Sequence, residues 1–149
     1  MRRALLVLAL AATGCTHRPH AIPCEAATLP FVARALHDIL ALADPPPVTL
    51  EAGFVLCSPH RDRLLAASAV LGEKGYSSYI GAADRGKCLR IARTHEASAP
   101  ALEREVTTMC QVAEAHSIAY RHWQAEVGGK SVKLAGDRLT IDGRRLGLD

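Results

Sequence analysis

An α+β domain, with helices on one face of an antiparallel sheet, is the fold class this sequence predicts, and three observations carry it. Three segments repeat apolar residues at helical spacing, and two of them open on a serine close to a proline. Between them lie short apolar runs of strand length, punctuated by glycine and proline. The composition, 49% apolar and 22% charged over 149 residues, suits one packed core. Only 4% is aromatic, so that core must be built mainly from aliphatic side chains.

In chain order, Pro30 stands in the first turn of a helix, where its missing N–H costs nothing. Phe31, Arg34, Ala35, Leu36, Ile39 and Leu40 then fall on one side, and Pro45, Pro46 and Pro47 end the run. Val48 to Cys57 contains a strand, and the unbroken Phe54, Val55, Leu56 run is that of a buried central one. Ser58 and Pro59 predict a helix start, the serine oxygen accepting from a free amide. Leu64, Ala67, Ser68 and Leu71 form the inner face of this helix, and Gly75 stops it. Tyr76 to Ile80 and Lys87 to Arg93 predict a hairpin around residues 82–86. Ser98 and Pro100 open the last helix, whose stripe of Leu102, Val106, Met109, Cys110 and Ala113 runs to about Ser117. A strand follows over Tyr120 to Val127.

This order, a helix and then strand-helix-strand twice, is a ferredoxin-like split βαβ sandwich with an extra N-terminal helix, placed at 29–127. Past Gly128 and Gly129, the segments Val132 to Leu134, Arg138 to Ile141 and Arg145 to Leu148 alternate with turns. They predict a C-terminal β-hairpin extension over 128–149. Its basic excess, from Lys130, Lys133, Arg138, Arg144 and Arg145 against Asp137, Asp142 and Asp149, is that of a solvated face.

The amino terminus follows a different logic. Arg2 and Arg3 precede the apolar stretch Ala4 to Ala12, and Thr13, Gly14 and Cys15 close it. The stretch is too short for a membrane span of about 20 residues and has the three parts of an export signal. Cysteine directly after glycine resembles the lipobox of bacterial lipoproteins, with Ala12 where leucine is usual. That resemblance implies a signal peptide over 1–14, an acylated Cys15 as the first mature residue, and a tether over 15–28. Thr16, in place of the aspartate that resembles an inner-membrane retention signal, implies a periplasm-facing lipoprotein of the outer membrane. Several acyl chains, each burying about 0.8 kcal/mol per methylene, would make the attachment lasting.

Export also changes how the other cysteines read. Cys24, Cys57, Cys88 and Cys110 would meet an oxidising compartment, as disulfide candidates with three possible pairings. None has the C-x-x-C spacing of a redox motif or zinc knuckle.

Residues 31–127 resemble the regulator of ribonuclease E activity B (RraB) family. The likeness rests on Leu64, Leu71, Gly75 and Tyr76 around the end of the second helix and on the hairpin after them. It rests also on the Ala113, Glu114, Ala115, His116, Tyr120, Trp123 run. It implies a ferredoxin-like domain that acts by binding a protein partner and restraining its activity. Characterised members are cytoplasmic and strongly acidic, whereas this chain carries an export signal and a charge of only +3, so the named target does not carry over.

No catalytic constellation, cofactor motif or metal site emerges from the sequence. Cys57, Ser58, Pro59 and His60 sit at a predicted strand-to-helix junction, where a thiol-dependent enzyme is an alternative reading. His95, His116 and His122 lack the four-residue spacing of paired metal ligands on a helix. Gly128 and Gly129 precede a strand rather than the helix start a phosphate loop needs. Tyr120 and Trp123, three residues apart, cannot both face inward on a regular strand, so one of them is a candidate anchor for a protein partner. Arg90 and Arg93, with Arg121, are candidates for a basic strip if they share a sheet face. Nucleic acid is not an expected partner: 18 basic side chains stand against 15 acidic, and Arg2 and Arg3 belong to the leader. The expected partners are an envelope protein and, through Cys15, the membrane. If the start is not a signal, the alternative is a cytoplasmic regulator of ribonuclease E activity.

Overall fold

A computed structural model describes residues 29–83 and 86–146. The signal peptide, Cys15, Cys24 and the tether lie outside the described residues. The fold class is α+β, with three helices and one seven-stranded antiparallel sheet among the described residues. Among the described residues no helix is long and apolar enough to cross a membrane.

The first helix, α1 (Leu29–Leu40), buries Val32, Ala35, Leu36 and Ile39. Its last turn closes through Leu42 N–H to the Ile39 carbonyl and Ala43 N–H to the Leu40 carbonyl, ahead of the three prolines. Strand β1 (Thr49–Ser58) is interior, as its continuous apolar run requires, with Phe54 and Leu56 fully buried. Helix α2 (Arg61–Glu73) starts later than Ser58 and Pro59 predict. Ser58 remains in the ladder opposite Lys87, and its hydroxyl accepts from His60 N–H, so the turn forms before the helix and not within it. Strands β2 (Ser77–Ala83) and β3 (Gly86–Glu96) form the expected hairpin. Helix α3 (Ala99–Ala115) has the expected cap, with Ala101 N–H donating to the Ser98 hydroxyl and Pro100 in the first turn.

Strand β4 (Ala119–Val127) pairs with β1 on the side away from β3. The chain then continues as β5 (Lys130–Ala135), β6 (Arg138–Ile141) and β7 (Arg144–Leu146). The sheet order is β2-β3-β1-β4-β5-β6-β7. The hairpin extension is thus corrected: 130–146 holds three strands that prolong the main sheet. The reason lies in the side chains, because Val132, Leu134 and Leu139 are buried in the same core as Phe54 and Trp123. Helix α1 packs against α3 and reaches β5, so the widened sheet has a third helix to cover it.

The β4–β5 connection is a two-residue turn with Gly128 at φ +59° and Gly129 at φ +71°, both in the left-handed region that a tight hairpin demands. A Cβ at Gly128 would collide with the Leu42 carbonyl oxygen and stand 2.9 Å from its carbon, whereas one at Gly129 meets nothing. Gly128→Ala is therefore expected to lower stability by about 3 kcal/mol, conformational cost and backbone clash combined, and Gly129→Ala by about 1 kcal/mol. Urea denaturation of the two variants checks this, since equal losses would mean that the α1–β1 loop does not press on the turn.

Candidate functional site on the open sheet face

Side chains alternate across a strand, so each face of the sheet has its own residues. Phe54, Leu56, Leu89, Ile91, Trp123 and Leu134 point to the helices and are buried. Their neighbours Glu51, Ala92 and Lys133 are exposed on the other face, where Tyr79, paired with Arg90, keeps 65% of its surface. Val55 and Cys88 are the buried positions of this face, and Val55 is flanked by Arg90 on β3 and His122 on β4.

A bulge in β4 shapes the centre. His122 lies opposite Val55 but Tyr120 lies opposite Leu56, leaving Arg121 as an extra residue. The extra residue resets the alternation. Tyr120 and Trp123 consequently both face the core, 4% and 0% exposed, and the expectation of a partner-binding aromatic on the rim is corrected. Burial raises the Tyr120 phenol pKa. The indole N–H of Trp123 points at Nε2 of His95 at 3.4 Å, and Nδ1 of His95 lies 2.8 Å from the Glu96 carbonyl. Because an indole only donates, Nε2 accepts and the ring proton sits on Nδ1.

On the open face the histidine opposite Val55 is His122. Its Nε2 lies 3.1 Å from Oε1 of Gln124. Burial is the main cause holding its pKa below 6.5, followed by the positive charge of Lys133, while the Gln124 hydrogen bond pulls it up and Arg90 and Arg121 push it further down. Among the described residues, no carboxylate is a cause of this shift. The folded pKa is depressed relative to the unfolded chain, so the unfolded state takes up a proton first on acidification. Stability is expected to be complete above pH 6.5 and to fall as pH drops from 6.5 toward the folded value. In His122→Gln that part of the slope should vanish, as urea midpoints across the interval will show.

The three arginines do not form one strip. Arg90 leans toward β2, its Nε 3.7 Å from where a Cβ at Gly81 would stand, Arg121 is the extra residue of the β4 bulge, and Arg93 lies on the helix side. Its guanidinium stacks 4.5 Å from the Tyr76 ring centroid, lies 3.7 Å from a Glu105 oxygen and donates to the Gly75 carbonyl. Tyr76 donates to Glu105 at 2.6 Å, and burial, with that carboxylate, pushes its pKa up to about 12. Beside this group, where β3 outruns β2, a hollow of about 480 Å³ is lined by Glu51, Ala52, Gly75, Ser77, Ala92, Arg93 and Thr94. Its one cation, Arg93, is already held by Glu105 and the Gly75 carbonyl.

Cys57 and Cys88, directly opposite on β1 and β3, form a disulfide with Cα atoms 4.1 Å apart. The bridge occupies the thiol that the Cys57 and His60 enzyme reading requires. Cys110, buried on α3, is also disulfide-bonded, and its partner is not among the described residues. Of the candidate metal-binding histidines, His95 is in the core, His116 caps α3 and His122 is on the open face, and no metal-holding cluster occurs among the described residues. Sequence reasoning named Arg121 and His122 separately but missed the bulge at Arg121, because a bulge leaves no sequence signal. Compared with family models, curated proteins and solved structures, the chain matches none.

Proposed function

We propose that this chain is a lipid-anchored envelope protein whose folded part is a non-catalytic binding module, holding a protein partner on the open face of its sheet and restraining it as an inhibitor or immunity factor would. One observation carries the reading. The helices pack on one side of the sheet, and the opposite side offers an exposed Tyr79 beside Arg90, with Lys133 further across. An aromatic and arginine pair on an uncovered face is the kind of anchor that protein interfaces use.

The export-type start and Cys15 support the envelope address and outer-membrane attachment. In the finer fold reading, β1 to β4 with α2 and α3 form a ferredoxin-like unit, supported by the order β4-β1-β3-β2. The likeness to the regulator of ribonuclease E activity B family supports binding as the mode of action, with a different target. With Cys57 and Cys88 joined and Cys15 acylated, Cys24 is the remaining candidate for Cys110.

The test places a photo-cross-linking amino acid at Tyr79 in cells fed radiolabelled palmitate. Label lost in Cys15→Ser, together with a discrete cross-linked band in the envelope fraction, supports the reading. An unprocessed, unlabelled chain in the cytosol, or no cross-link beyond that of an α2-surface control at Leu65, overturns it.

A further inference from the structure

We infer that the outer edge of β2 is the contact between two copies of this chain, which pair antiparallel about Ile80 and join their sheets into one. Among the described residues β2 is bonded only to β3, so its outer backbone groups are open along a strand of seven residues. Edge strands that remain single are guarded by charge, proline or a bulge. β2 has none of the three: Ser77 to Ala83 is uncharged, lacks proline and keeps unbroken register with β3.

The flanks of this edge are apolar. Of the four exposed large apolar side chains among the described residues, Tyr79 borders β2 on the open face and Leu65 on the helix side. Leu65 lies one turn before Ser68, whose hydroxyl meets that of Ser78 at 2.8 Å. Because α2 turns back into β2, the rise of helix and strand sets Leu65 beside Ile80. An apolar strip therefore wraps the edge from Tyr79 through Ile80 to Leu65.

A second copy fits this strip by symmetry. With Ile80 opposite its own counterpart, Tyr79 falls opposite Gly81, so the largest side chain of the strand meets the position that has none. Tyr79 already leans along its own strand, since a Cβ at Gly81 would stand 3.7 Å from its ring. Pairing lays the two rings side by side about 4.8 Å apart, close enough to stack. No like charges meet, because Arg90 stands one strand behind the edge in each copy, and three strand spacings, roughly 14 Å, exceed the screening length.

The pairing adds about six ladder hydrogen bonds, and a seam about 23 Å long buries roughly 400 Å² per copy, half of a standard interface. Such a dimer is reversible in solution and is reinforced where both copies share one surface. The segment 15–28 is a poorer occupant of the edge. Pro19 and Pro23 break it into runs shorter than β2, and it leads into α1, which packs on α3 and reaches β5, four places from β2 in the sheet.

Sedimentation of the full chain in neutral detergent, over about 5 to 500 µM, tests the pairing. A reversible equilibrium of monomer and dimer is expected. Tyr79→Lys, which sets like charges across the seam, should weaken it about tenfold, and Leu146→Lys, at the other border of the sheet, should leave it unchanged. Under aerobic oxidation Ile80→Cys should link two copies, whereas Ser77→Cys, its two positions roughly 20 Å apart, should not. Monomer at every concentration overturns the pairing, as does a dimer indifferent to Tyr79→Lys or one linked through Ser77→Cys and not through Ile80→Cys. Photo-cross-linking in cells keeps this inference apart from the proposed function. The pair gives a band of twice the chain's mass from both Tyr79 and Leu65, and a partner gives a band of another mass from Tyr79 alone. The partner band without the doubled one overturns the pairing and leaves the binding module standing; the doubled band without the partner one does the reverse.

Discussion

Trp123→Ala should lower stability by about 4 kcal/mol, the largest loss of any single truncation in this chain. The indole is 0% exposed at the middle of β4, opposite Phe54 on β1 and Leu134 on β5. With 4% aromatic residues in the sequence, few other side chains have the volume to fill such a void. Trp123→Phe separates the two parts of the effect. It keeps much of the ring contact but leaves Nε2 of His95 without its donor, at a cost of about 1 to 2 kcal/mol. Urea denaturation followed by circular dichroism measures both. A Phe variant as damaged as the Ala variant would place the whole effect in the hydrogen bond and contradict the packing account.

Removing the Cys57–Cys88 bridge as a double alanine variant should cost about 3 to 4 kcal/mol, the chain-entropy value for a 31-residue separation. The expectation has a structural side as well. β1 and β3 are both interior strands, and the bridge holds Cys57 against Cys88 and so fixes their register. Wild-type protein unfolded under a thiol reductant should move toward the stability of the double variant, provided the Cys110 bridge is scored separately by peptide mapping. A double variant as stable as the wild type would mean that the ladder alone sets the register.

Helices and inner strands were legible because one cause determined each. Ser98 and Pro100 supply a cap and a preset φ, and the structure starts α3 beside them. Phe54, Val55 and Leu56 are apolar on both sides of the chain, which only an interior strand tolerates. At Ser58 the same signature misled, because its hydroxyl can satisfy either a helix amide or, as here, the turn amide of His60. The bulge was invisible for a related reason. It arises where β4 must put both Tyr120 and Trp123 into the core, and spacing alone cannot announce an inserted residue. Arg93 looked like Arg90 in sequence, yet an odd spacing of three along a regular strand sends it to Tyr76 and Glu105.

The shape of the last strand bears on self-association. Among the described residues β7 has three, all exposed, and two of them are Arg144 and Arg145. A neighbouring copy trying to zip onto that rim finds little backbone to pair with and meets its own positive charge. The opposite rim, β2, is longer and uncharged from Ser77 to Ala83. Edge-to-edge stacking of misfolded copies is therefore steered away from one border of the sheet and left to the other.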